Sequence, residues 1–477
     1  LTPTVWLADI FLQLRPGSDV ALLNGMMHVV VNEGLVDRDF LARRTIGFEA
    51  LARHLQDYPP ARAAELTGVP QAQIVAAARA YAAAPASTFV YCMGITQHTT
   101  GSDNVLACAD LALLCGQFGR PGAGLMPLRG QNNVQGACDM GALPDFLPGY
   151  HPVDTPGLTV VEMMHAAEAG QVQALYVMGE NPVVSDPNSE QVRAALDRLG
   201  LLVVQDIFLT ETAALADVVL PAAAWAEKSG SYTTTERRVQ WSHKAIDPPG
   251  QAHPDLQILC DLASRLTSEV PQSSPWDYSS PEAVLSEINQ SVPLYAGIAP
   301  ERLAGSTEGI LWPCPVPGHP GTPILHTERF ATVDGRARLE PVAHAAPAEE
   351  AGDVFPLTLT TGRLAVHHNS GSMTRRSPSL RAQAPALFVE LSPDDAAHLG
   401  LSDGDATEVR TARGRATAHA RVTNTLGRGV AFMPFHFEGT NRLTADVLDP
   451  QAKIPEYKVS AARLSAHDLA STEGDER

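Results

Sequence analysis

The run Leu128-Arg129-Gly130-Gln131-Asn132-Asn133-Val134-Gln135-Gly136-Ala137-Cys138-Asp139-Met140-Gly141 sets one permanent cation among glycines and amides. A guanidinium presents a planar fork of donors matched to a carboxylate, and Gly130, Gly136 and Gly141 let backbone approach a ligand closely. The chemistry on offer is the holding of a small anion beside a large polar group. A structured loop with a salt-bridged arginine is the other reading that these residues allow. A second set of candidates follows short apolar runs that stop abruptly: Thr88 to Met93 before Gly94, Ala174 to Met178 before Gly179, and Leu201 to Val204 before Gln205-Asp206. In open α/β sheets ligands bind beyond the carboxyl ends of strands, so the loops starting at Gly94, Gly179 and Gln205 are candidate binding loops.

The elements that position these loops follow from pattern. Ser18-Asp19, then Leu22, Leu23, Met26, Met27 and Val30 up to Gly34, reads as a capped amphipathic helix, and a similar pattern runs from Ser102 to Gly116. Short apolar strands alternating with helices imply buried parallel sheet. Between Pro271 and Pro323 the chain is rich in Pro, Ser and Gly and reads as a surface excursion or linker, as does 345–352. After it the pattern turns to strands at Leu357 to Thr361, Leu387 to Leu391, Thr407 to Thr411, Ala416 to Val422 and Val430 to Pro434, which predict a compact β-barrel. One helix interrupts them, with Ser392 as N-cap, Pro393 at its first position and Gly400 past its end. No period of 20 to 50 residues marks a repeat architecture.

Composition bounds the rest. A chain of 477 residues suits two to four domains. A net charge of −19 disfavours nucleic acid and anionic membrane as partners, so an anionic substrate has to be drawn in by local cations. No apolar run reaches the length of a membrane span. The six cysteines lack CxxC pairs and the tight spacing of a disulfide framework, which reads as a reducing compartment with no zinc or iron–sulfur site in these residues. Cys108 and Cys115 fall on an apolar helical pattern and read as packing residues. The chain starts at Leu1 without an initiator methionine or signal pattern and reads as the C-terminal portion of a longer protein.

The Arg129 string closely resembles the substrate loop of molybdenum- or tungsten-dependent formate dehydrogenases. Seven further segments resemble that family in the same order: Gly94 to His98, Met178 to Pro182, Val204 to Phe208, Ala216 to Pro221, Thr234 to Arg238, Gly371 to Arg376 and Lys453 to Lys458. The resemblance implies two doubly wound α/β domains, 1–131 and 132–254, a connecting region 255–354, and a double-psi β-barrel over 355–477. It implies a bis(molybdopterin guanine dinucleotide) cofactor with molybdenum or tungsten, and interconversion of formate and carbon dioxide with Arg129 binding formate. Gly94 and Gln97 resemble contacts to the pterin nearest the metal, and Gln131 is a further implied cofactor contact. Gly179, Glu180, Asn181 and Ser185 would cradle one nucleotide, with Gln205, Asp206 and Asp217 at its sugar or base; a turn or cap is the other reading of Asp206 and Asp217.

Arg363, His367 and Asn369 open the barrel where the family holds its cofactor, and Leu364 stands where some relatives have an acidic residue, which implies one lost polar contact. Asn441, Thr444, Tyr457 and Lys458 resemble the last pterin and guanine contacts, with a packed core aromatic as the other reading of Tyr457. His98 reads as a ligand contact or as a solvated loop residue.

The family's cysteine-bound [4Fe-4S] cluster and its metal-ligating cysteine or selenocysteine would lie upstream of Leu1, so no metal ligand is expected in this chain. Electron-transfer subunits are the implied partners and the cytoplasm the implied compartment. The rivals are a nitrate reductase on the same scaffold and a noncatalytic electron-transfer subunit that has lost its metal.

Overall fold

The computed structural model describes residues 2–267 and 276–467. Residues 271–275 of the proline-rich stretch and 468–477 of the expected barrel region lie outside the described residues. The chain forms two compact units, each assembled from separate stretches: Leu1–Met126, Pro182–Arg193 and His326–Arg477 make the first, and Pro127–Asn181 with Ala194–Leu325 the second.

The first unit opens with helices α1 (Asp19–Asn32) and α2 (Gly101–Leu114). Val20, Leu23, Met27 and Val30 of α1 and Cys108, Leu111 and Leu114 of α2 belong to one buried cluster, each large aliphatic side chain contributing about 1.5–3 kcal/mol by leaving water. Gly25 lets α1 approach the helix Pro60–Thr67, since a Cβ there would lie 2.5 Å from the Ala63 side chain. The helix starts differ from expectation. The Ser18 hydroxyl makes no cap and donates to the Arg15 carbonyl at 2.6 Å. Ser102 sits within the first turn of α2, where its N–H (2.9 Å) and hydroxyl (2.8 Å) donate to the Asp449 carboxylate. An anion at a helix N-terminus is favourable. Cys108 and Cys115 are free thiols in the packed core, as read, and burial pushes both up to about 12.

The second unit contains a parallel sheet of β1 (Ala174–Met178), β2 (Leu201–Asp206) and β3 (Val218–Pro221), with Val177, Val204 and Val219 in register. β2 is central and buries Leu202 and Val204 completely or nearly so. The chain leaves β1 through Gly179 at φ +67°, a left-handed turn open to glycine. Antiparallel strands β4 (Gly230–Thr233) and β5 (Arg238–Ser242) follow. Residues 276–323 are not a linker. Pro281–Ser291 is a helix with Ser280 as N-cap and proline in its first turn, and Leu285, Tyr295, Ile298, Leu303 and Ile310 form a core with Val239 of β5. Counting Pro, Ser and Gly hid the amphipathic spacing of this short helix.

The first unit is completed by a closed six-stranded barrel: β6 (Leu357–Gly362), β7 (Phe388–Leu391), β8 (Ala406–Arg410), β9 (Arg415–Val422), β10 (Val430–Pro434) and β11 (Ser460–Ala466), in spatial order β6-β10-β7-β9-β8-β11. β6 with β10 and β7 with β9 are parallel, and the remaining neighbours are antiparallel. Strict alternation along β9 points Ala416, Ala418 and Ala420 inward, small residues suited to a narrow barrel. The helix Pro393–Leu399 is capped as expected, with the Ser392 hydroxyl accepting from Asp395 N–H at 3.1 Å and Gly400 left-handed at φ +66°. The stretch 345–352 is tied to the barrel: Glu349 pairs with Arg413 and accepts the Ala461 N–H at 3.0 Å. No described helix is long and apolar enough to cross a membrane.

Candidate active site

In the second unit, Arg129 lies exposed on the loop that precedes the short helix Val134–Asp139. Its backbone N–H donates to the Thr235 hydroxyl (2.8 Å), which donates to the Pro127 carbonyl (2.9 Å). Its Nε donates to Gln135 Oε1 at 3.2 Å. Among the described residues no carboxylate pairs with it and its two terminal nitrogens find no acceptor, so the salt-bridged reading does not hold. Behind it, Asp139 is fully buried and accepts from Gln135 Nε2 (2.9 Å), Tyr150 (2.7 Å) and Tyr295 (2.6 Å). Burial and the Asp139 charge together hold the Tyr150 and Tyr295 hydroxyls far above the ordinary phenol range. Gln131 is half-buried and its side chain makes no hydrogen bond among the described residues.

The strand-end loops of β1 and β2 place Glu180 near Asp206. Glu180 is held above the usual carboxylate range, first by surrounding protein that strips its water and second by Asp206. Two carboxylates sharing a strand end suit a ligand that brings hydroxyl or N–H donors. Asp206 also makes the turn that was its alternative reading, accepting the Phe208 N–H two residues on at 3.3 Å. Gly179 gives its N–H to the Gln205 carbonyl (2.9 Å), and a Cβ on it would meet open space.

Other side chains assigned to a ligand are spent on protein. Asp217 accepts Leu202 N–H (2.7 Å). Asn181 accepts from the Thr212 hydroxyl (2.7 Å) and donates to Glu211 (2.8 Å). Gln205, fully buried, accepts from Tyr176 (2.5 Å) and donates to Asp255 (2.6 Å). These residues shape the loops.

In the first unit, Gly94 is exposed at the short helix Met93–Thr96, with open space where a Cβ would point. Gln97 caps that helix, and its side chain has no partner among the described residues. Neither reading of His98 holds. It is buried, with Nδ1 2.9 Å from Glu456 Oε1 and Nε2 3.0 Å from the Gly94 carbonyl and 3.9 Å from Asp19. Both ring nitrogens face acceptors, an arrangement that favours the doubly protonated ring. Burial opposes that charge, but Glu456, Asp19 and the carbonyl outweigh it and hold the imidazole above its ordinary value.

At the mouth of the barrel, Arg363 and Lys458 lie together. Arg363 Nε is buried without an acceptor among the described residues, and Lys458 donates to the Thr361 carbonyl at 2.7 Å. Burial, with Arg363 second, pushes Lys458 down to about 8; Arg363 is likewise lowered by burial, and the Cys92 thiol acts in the opposite sense on both. Two cations held together with burial disfavouring both charges make a place that suits an anionic group.

His367 is buried with both nitrogens spent, on the Thr374 hydroxyl (3.0 Å) and the Ala384 carbonyl (3.1 Å). Asn369 has φ +43°, and its carbonyl accepts from His436 Nδ1 at 2.6 Å while His436 Nε2 accepts Leu364 N–H at 2.8 Å. His436 thus fixes the loop carrying Arg363 and Asn369; burial pushes it down to about 4, which keeps Nε2 free to accept. Asn441 donates to the Val184 (2.8 Å) and Ser185 (3.0 Å) carbonyls, Thr444 donates to the Asn441 carbonyl (3.2 Å), and Tyr457 donates to the Ser185 carbonyl (3.0 Å). The Ser185 hydroxyl donates to Asp186 (3.0 Å). Asn441 and Tyr457 thereby lash the 182–188 segment to the barrel. Sequence reading missed His436, Asp139, Tyr150 and Tyr295. Asp139 was visible inside the Arg129 string, whereas the tyrosines carry no local signal.

A family model for molybdopterin oxidoreductase matches residues 4–265, and one for the molydopterin dinucleotide binding domain matches 357–461. The chain is 47% identical over 97% of its length to the F420-dependent formate dehydrogenase 1 subunit alpha of Methanococcus maripaludis, covering 70% of that protein. It is 34% identical, over 97% of its length and 69% of the relative, to the assimilatory nitrate reductase catalytic subunit of Bacillus subtilis. Among solved structures, acetylene hydratase from Pelobacter acetylenicus shares the fold at a TM-score of 0.76 and 21% identity, over 98% of this chain and 72% of that one. Two matched domains and a relative aligned over 97% of this chain leave one conclusion: this chain belongs to the molybdopterin oxidoreductase family.

Proposed function

We propose that the chain is the catalytic part of a formate dehydrogenase that interconverts formate with carbon dioxide, one proton and two electrons. The observation that carries this is Arg129, whose two terminal nitrogens have no partner among the described residues and stand ready for a carboxylate. The 47% identity to a formate dehydrogenase subunit, against 34% to a nitrate reductase, supports the same choice.

A molybdenum or tungsten bis(molybdopterin guanine dinucleotide), when bound, accepts the two electrons. The residues present fit it. Arg363 and Lys458 would hold its anionic part, and Gly94, Gln97, Gln131 and Asn369 would approach the pterins by backbone and amide. Glu180 and Asp206 would accept from ribose or guanine. Gly179, Asn181, Ser185, Gln205, Asp217, His367, Asn441, Thr444 and Tyr457 would shape the loops on which these groups sit. Arg129 orients formate by charge-assisted bonds and excludes alternative poses. The domain boundaries near residues 131, 254 and 355 and a double-psi barrel belong to this reading; the two parallel strand pairs support the latter. An upstream [4Fe-4S] cluster, separate electron-transfer subunits and a cytoplasmic site complete it.

The test is anaerobic reduction of a viologen dye by the native holoenzyme with formate, beside dye oxidation by nitrate. Formate-dependent reduction supports the assignment, and nitrate-dependent oxidation alone moves it to the rival. Arg129→Lys should lower formate turnover by at least a hundredfold with cofactor retained. Near-normal turnover in that variant overturns the role of Arg129.

A further inference from the structure

Gln135 lies between a donor-only group and an acceptor-only group. Arg129 Nε can only donate, and an ionised Asp139 can only accept. The amide therefore has one permitted orientation, with its carbonyl toward Arg129 (3.2 Å) and its NH2 toward Asp139 (2.9 Å). The reverse setting would oppose donor to donor and acceptor to acceptor. Asp139 is immobilised in turn by Tyr150 and Tyr295, and the Tyr295 hydroxyl also meets Thr233 at 2.9 Å. With the Arg129 backbone pinned by Thr235, both ends of the arginine are fixed.

We infer that Gln135 and Asp139 are positioning residues for the reaction: the buried Asp139 locks the polarity of the Gln135 amide, which takes Arg129 Nε and leaves the two terminal nitrogens to bind formate end-on. Side-on binding through Nε and one terminal nitrogen is closed because Nε is occupied. The inference rests on the reading of Arg129 as the formate-binding cation. It explains why a fully buried carboxylate is surrounded by neutral donors: a second cation near Asp139 would compete with the Gln135 amide for it.

The experiment uses the native holoenzyme and three substitutions, Gln135→Glu, Gln135→Leu and Asp139→Asn, with Arg129→Lys alongside. Formate KM and kcat are measured by dye reduction, together with metal and pterin content and the rise in melting temperature that formate produces. Gln135→Leu should raise KM about tenfold, the loss of one charge-assisted bond. Gln135→Glu changes shape little but sets a carboxylate against Arg129 that competes with formate, so KM should rise about a hundredfold and the formate-induced thermal shift should vanish. Asp139→Asn unlocks the amide and should raise KM several-fold, with cofactor content unchanged.

A merely structural role predicts that the two Gln135 variants behave alike and lose cofactor in proportion to stability. That pattern, or a Gln135→Glu enzyme whose KM stays within twofold of wild type while Arg129→Lys is impaired, overturns the inference. If Arg129→Lys itself leaves KM unchanged, the failure lies with the assignment of Arg129 to formate. Should Gln135→Glu not fold, Tyr150→Phe serves in its place, since it loosens Asp139 without touching Arg129, and an unchanged KM there counts against the proposal.

Discussion

Replacing Glu456 by Gln tests whether the buried imidazolium of His98 is held by charge. Glu456 is fully buried and accepts from His98 (2.9 Å), Thr99 N–H (2.9 Å) and the Thr99 hydroxyl (2.8 Å). A glutamine keeps the shape but has one acceptor oxygen, so either the Thr99 donors or His98 faces its NH2 group. Breaking a buried pair by neutralising one partner costs about 3–5 kcal/mol, and at ~2–4 °C per kcal/mol for a unit of this size the melting temperature should fall on the order of 10 °C. The pH arm has a definite sign. His98 is raised above its ordinary value, so its contribution is fully present below the unfolded pKa near 6.5 and is lost as pH rises through the folded value. Asp19 remains 3.9 Å away in the variant and preserves part of the effect. Calorimetry of wild type and Glu456→Gln from pH 5 to 9 should show a gap that is widest at low pH and narrows as pH rises. A gap under about 1 kcal/mol at pH 6, or one that does not change with pH, refutes the argument.

Asp110 offers a second pH test: burial pushes its carboxyl to about 8, and one buried oxygen lacks a partner among the described residues. The folded state therefore binds the proton more tightly, so stability falls as pH rises from near 3.8 to about 8. Asp110→Asn should flatten that profile and melt higher at pH 8, and a lower melting temperature there would count against a protonated carboxyl. Lys458→Met should reduce retained molybdenum or tungsten and pterin several-fold while leaving the melting temperature of cofactor-free protein within a few degrees, as metal analysis and calorimetry will show. Gly47→Ala combines φ +96° with a Cβ 2.5 Å from the Leu339 carbonyl; it should cost more than about 2 kcal/mol in denaturant titration, and an unchanged midpoint would contradict the close approach.

The sequence made legible what rests on local pattern. The β-branched runs of β1 and β2, the alternation of β9 and the Ser392, Pro393 and Gly400 signals around one helix all settled where read. β11 was not seen, because Ser460-Ala461-Ala462-Arg463-Leu464-Ser465-Ala466 has low strand propensity and owes its conformation to β6 and β8 on either side. Around the candidate site the loops were found but the division of labour within them was not. Asn181, Gln205, Asn441 and His367 look like ligand contacts by type, yet each is bonded to other protein groups outside its own motif. Side chains that hold a loop and side chains that face its ligand share the same residue types, and only the fold separates them. His98 shows the same limit, since its partner Glu456 lies 358 positions away.

The assembly of the first unit from three stretches has a consequence for the order of events during synthesis. Its helices α1 and α2 are made before any of the second unit, but the barrel lacks closure until β11 at 460–466 pairs with β6 and β8. Until that strand leaves the ribosome, two hydrogen-bonding edges stand open. Asp449 and Glu456, which anchor Ser102, His98 and Thr99, emerge at the same late stage. The second unit has all of its stretches by residue 325. Nascent chains halted before Ser460 should therefore expose an unclosed barrel at a stage when every stretch of the second unit has been made.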